Sequence, residues 1–278
     1  MLGPNAAGDY RLRLRELQFN VRIAGRGVPM IWGHGLLGAM DSEQRLGWFG
    51  WEPPPGGVQL VRYDARGHGA SEASYTPASY TWANLAQDML ALADAMSAAT
   101  FIAGGASMGA VTALNAALAA PERVRGLLLV FVPNLWEARA AQARSYRISA
   151  LEGRLLGGRG LAWKMGRAMP ERLPGWLLAA QPDVIPIFKS GIARIKARTL
   201  WHLLRGAALS NLPPRQTLER IAGIPATILT WNGDPAHPLP MAQEMHRLLP
   251  RSELFIARDY GEFQSFQQRI AKFLDRCR

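Results

Sequence analysis

The first part of the chain alternates between short apolar runs and polar turns. Residues Tyr10–Leu17 and Phe19–Ala24 alternate basic or polar side chains with apolar ones, which predicts two half-exposed strands in an edge hairpin. The runs Val28–Trp32 and Val58–Tyr63 are mostly apolar, and each leads into a glycine-rich loop. This pattern is typical of buried strands that open into loops at the edge of an α/β sheet.

Strands and helices then follow one another in turn. The segment Trp82–Met96 repeats apolar side chains at helical spacing, and Met108–Ala119 is rich in alanine and ends before Pro121, so both predict helices. Phe101–Gly104 and Val124–Val132 are apolar and short, as strands are. Strands that alternate with helices at this spacing predict a mostly parallel central sheet flanked by helices, which is the α/β class.

The alternation stops after the sixth predicted strand. Residues 133–215 contain helical segments such as Glu137–Arg147 and Ala193–Arg205, several prolines, and no good strand pattern. The alternation then returns with strand Ala226–Trp231, helix Pro240–Leu249, strand Glu253–Ala257 and helix Phe263–Arg276. We therefore expect a core made of residues 1–132 and 216–278, with residues 133–215 inserted as a helical cap over the carboxyl edge of the sheet, where open α/β sheets bind ligands.

Composition narrows the class of protein. The 278 residues are 49% hydrophobic and 19% charged, which is ordinary for a globular protein. No apolar run approaches the ~20 residues of a transmembrane helix, and the first residues lack the pattern of a signal peptide. Cys277 is the only cysteine, so neither an internal disulfide nor a cysteine metal site is expected. These features predict a cytoplasmic protein.

The net charge of +11 is concentrated in one region. Residues 137–205 contain 13 Lys and Arg against 4 acidic residues, an excess of +9. An arginine-rich helix is most often a solvated face, and the functional alternative is a basic rim that attracts an acidic substrate or an anionic surface. The region has neither zinc-finger spacing nor an RNA-binding aromatic signature, so no nucleic-acid partner is predicted.

The strongest local motif is Gly105-Ala106-Ser107-Met108-Gly109, which matches G-x-S-x-G between a predicted strand and a predicted helix. A turn this tight needs flanking glycines, and it exposes the Ser107 hydroxyl at the helix N-terminus. The N–H of Met108 would then point to the place where an oxyanion forms. The motif therefore makes Ser107 a candidate nucleophile, and the structural alternative is a merely tight strand-to-helix turn.

Two further loops accompany this motif, Gly33-His34-Gly35-Leu36-Leu37-Gly38 and Arg66-Gly67-His68-Gly69-Ala70-Ser71. With these three segments the chain resembles the α/β-hydrolase superfamily, in particular its capped esterase and lactonase branch. The resemblance covers Tyr10–Val132 and Ala226–Leu274. It implies an α/β-hydrolase fold, a second oxyanion donor at the N–H of Leu36, and roles for His34 and His68 in organising their loops by hydrogen bonds.

The resemblance also implies an acid and a base. Asp234, in the loop after the strand Ala226–Trp231, matches the family's acid, although an aspartate before proline is also a common turn former. The family's histidine follows the last strand, and Glu262 occupies the matching position here. No histidine follows His246, so the base that a serine nucleophile requires is missing from its usual place.

Three hypotheses address this gap. In the first, His237, three residues beyond Asp234, acts as the base in place of the missing histidine. The structural alternative is that His237 is a loop histidine bonded to the backbone. Glu262 itself acts as the base, which requires burial beside Asp234 to raise its pKa from about 4.3. In the third hypothesis the protein no longer hydrolyses esters. It is then a silent binding protein of the same fold, or a lyase or isomerase that uses the oxyanion pocket.

The sequence predicts a small acyl substrate, apolar and with an anionic end if the basic rim contributes. His34, Trp136 and Trp163 are its candidate contacts, although aromatic residues at helical spacing are more often core. No histidine pair has metal-ligand spacing and no G-x-G-x-x-G follows a first strand, so neither a metal nor a nucleotide cofactor is expected. We therefore expect a serine hydrolase that cleaves a carboxylic ester, a lactone or a related acyl bond.

Overall fold

Eight strands form the central sheet of the computed structural model, which describes residues 6–278. They are β1 (Gly8–Leu14), β2 (Leu17–Gly25), β3 (Val28–Gly33), β4 (Val58–Tyr63), β5 (Phe101–Ala106), β6 (Val124–Val130), β7 (Ala226–Trp231) and β8 (Ser252–Ala257). Their order across the sheet is β1-β2-β4-β3-β5-β6-β7-β8. The pairs β1–β2 and β2–β4 are antiparallel, and the other neighbours are parallel. The predicted mostly parallel sheet with an antiparallel beginning is confirmed.

The edge hairpin turns earlier than the pattern of alternation indicates. Arg15 and Glu16 adopt positive φ values of 45° and 72°, so β1 ends at Leu14 and Leu17 already belongs to β2. Along β2, every second side chain from position 19 is buried and the others are partly exposed. This is the burial pattern of a strand with one face on the core.

The helices cover both faces of the sheet. They are α1 (Met40–Leu46), α2 (Trp82–Ala95), α3 (Met108–Ala119), α4 (Arg139–Ala168), α5 (Gly175–Ala180), α6 (Val184–Ala193), α7 (Ala197–Leu209), α8 (Leu239–Leu248), α9 (Tyr260–Gln264) and α10 (Phe266–Arg276). Side chains of α2, α3 and α8 form one apolar core with the first face of the sheet. Those of α10 and an aromatic cluster around Trp48 form a second core on the opposite face.

The helices α4 to α7 lie between β6 and β7, within the range of residues 133–215 that the sequence assigns to an insertion. Their buried side chains, among them Ala150, Leu161 and Leu200, form a third core. Leu37 and Tyr80 of the sheet region belong to this core as well, so it attaches the inserted helices to the loops at the carboxyl ends of β3 and β4. Within residues 6–278, none of the helices combines the length and apolar character needed to cross a bilayer.

Candidate active site

A sharp turn joins β5 to α3 at Ser107. Ser107 has φ 53° and ψ −108°, a conformation that non-glycine residues rarely adopt. Its N–H donates to the Val130 carbonyl at 2.8 Å, which ties the turn to β6. A Cβ on Gly109 would lie 1.9 Å from the Gly33 carbonyl oxygen, and one on Gly105 would lie 2.3 Å from the Gly109 carbonyl carbon. The two glycines of the motif are therefore needed because α3 begins in direct contact with the backbone of β3 and β5.

The loop after β7 brings a histidine and a carboxylate to this turn. Nε2 of His237 lies 2.7 Å from Oγ of Ser107, and Nδ1 of His237 lies 2.6 Å from Oδ2 of Asp234. When Nδ1–H donates to the carboxylate, Nε2 is left as the acceptor for the serine hydroxyl. This arrangement allows a ring nitrogen to take the hydroxyl proton while a buried carboxylate holds the ring in position.

Asp234 also shapes the turn that carries His237. Its Oδ1 accepts hydrogen bonds from the backbone N–H groups of Ala236, at 2.8 Å, and His237, at 3.3 Å, while the indole N–H of Trp231 reaches Oδ2 at 3.3 Å. Burial alone would raise the pKa of this carboxyl group. The facing His237 and these hydrogen bonds outweigh burial and lower the pKa of Asp234 below its ordinary value, which keeps the group ionised.

The same loop is fastened to the segment that follows β6. Nδ2 of Asn134 donates to the Pro235 carbonyl at 3.0 Å, and the Asn134 N–H donates to the Ala236 carbonyl at 3.3 Å. The ring of Phe131 lies beside the imidazole of His237, with 5.9 Å between the centroids. His237 is therefore positioned from three sides, by its own turn, by Asn134 and by an aromatic neighbour.

The loop after β3 runs beside Ser107. A Cβ on Gly35 would lie 3.7 Å from Cβ of Ser107, and Leu36 lines the same cavity as the serine. The loop path is fixed because the N–H of Leu37 donates to Nε2 of His68 at 3.1 Å and the N–H of Gly38 donates to the Gly35 carbonyl at 3.0 Å. The N–H groups of Met108, from the motif, and of Leu36, from the family resemblance, are the predicted oxyanion donors. Met108 is the first residue of α3, where an N–H has no partner within the helix.

His34 and His68 lie in the core and not in the cavity. Nε2 of His34 accepts from the Ala65 N–H at 2.9 Å, and its Nδ1 lies 2.8 Å from the Gly35 carbonyl. Burial lowers the pKa of His34, and burial beside His34 lowers the pKa of His68 to about 3, so both rings are neutral. The structure thus places His34, predicted to contact substrate, outside the wall of the cavity at Ser107, and both of its ring nitrogens contact the backbone of the two loops.

Glu262 does not join Ser107, His237 and Asp234. Its carboxylate accepts the Arg258 N–H at 2.8 Å, while the Glu262 N–H donates to Oδ1 of Asp259 at the same distance. The Asp259 side chain thus caps the N-terminus of α9, and the Glu262 carboxylate binds the backbone of the residue that precedes this cap. The position that matches the family's histidine therefore has a structural use here, which is why the structure does not support a base at Glu262.

A cavity of about 140 Å³ opens at Ser107 and His237. Its wall includes a cluster of aromatic rings: Trp48 contacts the rings of Phe131, Phe188 and Trp231 at centroid distances of 6.1, 5.9 and 5.4 Å. Phe188 belongs to α6, so the inserted helices contribute to the wall. Among residues 6–278, no group of three or more His, Cys, Asp or Glu side chains is placed to hold a metal ion.

The cavity wall contains a second carboxyl group, Glu43 of α1, which the sequence analysis did not identify. Glu43 is buried, and its Oε2 accepts the indole N–H of Trp32 at 2.8 Å. Burial raises the pKa of Glu43 to about 7, although the charge of the nearby Arg62 and the Trp32 hydrogen bond act in the opposite direction. The group is thus poised to change its charge near neutral pH.

Two aromatic residues predicted to contact substrate lie elsewhere. The indole N–H of Trp136 donates to the Pro213 carbonyl at 2.9 Å, and Trp163 is 60% exposed on the outer side of α4. The aromatic residues that do line the cavity include Trp48 and Phe49, which come from the loop between α1 and β4. The run Trp48-Phe49-Gly50-Trp51 was the only sequence signal for them, because so many aromatic residues rarely follow one another in an exposed loop.

Comparisons with known proteins agree with this architecture. The model of the alpha/beta hydrolase fold family matches residues 28–268. A protein named putative carbamate hydrolase RutD, from Cronobacter sakazakii, is 28% identical over 204 residues, which cover 73% of each chain.

Two solved structures show the same fold. The enol-lactonase from Burkholderia xenovorans has a TM-score of 0.74 at 19% identity, covering 96% of this chain and 100% of its own. A thermophilic esterase from Thermogutta terrifontis has a TM-score of 0.77 at 19% identity and covers 97% of both chains. The family model spans most of the sequence, and the strand order and the sharp turn at Ser107 agree with it. This chain therefore belongs to the α/β-hydrolase fold family.

Proposed function

We propose that the protein is a serine hydrolase that cleaves a carboxylic ester, a lactone or a related acyl bond. The observation that carries this proposal is the unbroken line of hydrogen bonds from Ser107 through His237 to Asp234, at 2.7 and 2.6 Å. The relatives support the class of bond, since they are named for carbamate, lactone and ester chemistry. In each of these groups a carbonyl carbon is bonded to a heteroatom that can leave.

The geometry supports a two-step reaction. Ser107 Oγ attacks the carbonyl carbon while His237 Nε2 takes the hydroxyl proton, and Asp234 stabilises the imidazolium that forms. The negative charge on the carbonyl oxygen is stabilised by the N–H groups of Leu36 and Met108. The imidazolium then donates its proton to the leaving group. A water molecule, deprotonated by His237, then attacks the acyl carbon. The bond from this carbon to Ser107 Oγ breaks, and the imidazolium returns the proton to Oγ.

The cavity favours a short apolar acyl group. Its volume of about 140 Å³ is below the ~300 Å³ at which pockets for drug-sized ligands begin. Among the described residues of its wall there is no Lys or Arg, while Glu43 and Asp234 supply carboxyl groups. An anionic end of the substrate, which the basic composition suggested, would have no partner in this cavity and would have to lie outside it.

The inserted helices serve as the cap in this proposal. Leu173 and Phe188 of the insertion line the cavity together with Trp231 of β7. They close the apolar side of the cavity, which excludes water from the developing charges and so strengthens the hydrogen bonds there. The assignment of residues 133–215 to a cap rests on this contribution.

The test is labelling of the full chain with a fluorophosphonate probe, combined with hydrolysis of p-nitrophenyl acetate. We expect stoichiometric labelling of Ser107 in the wild type and none in Ser107→Ala. His237→Ala should lower kcat by about 10⁴-fold or more, which is the usual loss when a triad member is removed. The matched control is His246→Ala on α8, which should retain activity. The ring of His246 lies 2.7 Å from the hydroxyl of Ser252 and is not part of the cavity at Ser107.

Three outcomes would contradict the proposal. An absence of labelling under conditions that label a control hydrolase would favour a binding protein. Equal labelling rates in wild type and His237→Ala, with a loss in Glu262→Ala, would move the base to the position after β8. Turnover of a natural substrate that survives Ser107→Ala would indicate a lyase or isomerase that uses only the oxyanion donors.

A further inference from the structure

Helix α4 folds back on itself at Gly157. This residue has φ 67° and ψ −179°, which is not helical. Lys164 forms an ion pair with Glu152, although twelve residues of straight helix would span about 18 Å. A Cβ on Gly153 would also lie 3.3 Å from a methyl carbon of Leu161. Residues 139–168 therefore form two helical limbs joined at a tip, which we call the α4 hairpin.

The inner face of the α4 hairpin is anchored to the other inserted helices. Ala150 and Leu161 are fully buried and belong to the same apolar core as Leu200 and Leu204 of α7. At the tip, a Cβ on Gly158 would lie 2.5 Å from the Ile195 carbonyl oxygen, so the backbone is in close contact with the end of α6. One face is thus fixed, and the other faces outward.

The outer face of the α4 hairpin is apolar to an unusual degree. Seven large hydrophobic side chains are exposed in the described part of the chain, and five of them lie on this hairpin. Leu155 and Leu156 at the tip are 73% and 55% exposed. The other three are Ile148, Leu151 and Trp163. A cluster of this kind on a soluble fold marks a surface that contacts another phase or partner.

Cationic residues are interleaved with these apolar side chains. The hairpin has six exposed Lys and Arg residues and one acidic residue, Glu152, which is half-buried. The exposed cations are Arg144, Arg147, Arg154, Arg159, Lys164 and Arg167. The guanidinium of Arg167 lies 5.1 Å from the centroid of the Trp163 ring, a cation–π pair that places a positive charge directly beside an exposed aromatic ring.

We propose that the outer face of the α4 hairpin docks on an anionic lipid bilayer. The exposed leucines and Trp163 enter the boundary between headgroups and acyl chains, as the apolar face of an interfacial helix does. The interleaved arginines pair with lipid phosphates, and an anionic surface contributes about 1 kcal/mol for each cation close to it. Charge complementarity favours this occupant over a second copy of the chain, since a symmetric contact would bring six cations against six.

The test is co-sedimentation of the full-length protein with vesicles of phosphatidylcholine alone or mixed with phosphatidylglycerol. We expect binding to the mixed vesicles that weakens as salt rises, and far weaker binding to the neutral ones. The double variant Leu155→Ser/Leu156→Ser should lower the partition coefficient by about tenfold or more, because two apolar side chains no longer leave water. Leu209→Ser, which alters a leucine that is 61% exposed outside the hairpin, is the matched control and should bind as the wild type does.

Binding is measured without turnover, so the result does not depend on the chemistry at Ser107. Far-ultraviolet circular dichroism and the melting temperature establish that the double variant is folded, which its exposed positions favour. Failure to bind anionic vesicles, or equal binding by the double variant and the wild type, would overturn the proposal. Light scattering that shows a wild-type dimer and a monomeric double variant would assign this face to self-association instead.

Discussion

The buried carboxyl group of Glu43 should make the protein lose stability, relative to a variant without this carboxyl group, as pH rises from 5 to 8. We consider the replacement of Glu43 by glutamine, which keeps the size of the side chain and an oxygen that can accept the Trp32 indole N–H. The variant removes the ionisation and leaves the packing of α1 close to that of the wild type. A comparison of the two proteins therefore isolates the cost of charging one buried group.

The magnitude follows from the two pKa values. Burial raises the pKa of Glu43 from 4.5 to about 7, so the folded protein binds this proton more tightly than the unfolded chain does. The stabilisation is complete below pH 4.5 and is lost progressively up to pH 7. At 1.36 kcal/mol per pKa unit, the wild type should lose about 2.5 kcal/mol relative to Glu43→Gln between pH 5 and pH 8.

The assay is guanidinium unfolding of both proteins across this pH range. The buried His34 and His68 have lowered pKa values and contribute with the opposite sign, since their stabilisation grows as pH rises toward 6.5. They are present in both proteins, so the difference in the free energy of unfolding removes their contribution. Parallel curves for wild type and Glu43→Gln would refute the reasoning, because they would mean that Glu43 ionises alike in the folded and unfolded states.

Three further predictions concern the carboxylate beside His237, the turn at Ser107 and the cavity wall. Asp234→Asn should lower kcat by about 10⁴-fold with little change in melting temperature, because the imidazole is held in the wrong tautomer; steady-state kinetics and a thermal melt check this. Gly109→Ala should prevent stable folding, since the new methyl group would lie 1.9 Å from a carbonyl oxygen of β3; the soluble yield and circular dichroism measure it. Trp48→Ala should destabilise the protein by about 3–5 kcal/mol and shift kcat/KM toward longer p-nitrophenyl esters, whereas Trp163→Ala should leave the chain-length preference unchanged.

The fold was predictable because its signals are local. Apolar runs, helical periodicity and the G-x-S-x-G motif between strand and helix each depend on neighbouring residues, and the observed order of elements agrees with them. The details that differ depend on backbone conformation. The turn at Arg15 and Glu16 was not predicted, because two adjacent charged residues interrupt the alternation without recording the positive φ values of 45° and 72° that reverse the chain.

The site was predictable only in part. Ser107 and Asp234 stand out by their motifs, but the placement of His237, and not Glu262, beside Ser107 depends on the path of two loops, which no residue pattern records. Glu43 was missed because its burial depends on how α1 packs against Trp32. The exposure of Trp163 could not be predicted either, because an aromatic residue on a helix can have the same spacing whether it faces the core or the solvent.

The location of His237 only three residues after Asp234 has a consequence for how the molecule tolerates change. In this chain a single connection carries both of the groups that would activate the serine, so a graft that transfers them as a unit would need residues 231–238 together with Asn134, which holds the connection in place. Under the proposed function, the segment after β8 takes no part in the reaction. The helix cap at Asp259 and the ring of Phe263, which packs on Trp231, would then serve packing, so substitutions there should act on stability and not on proton transfer.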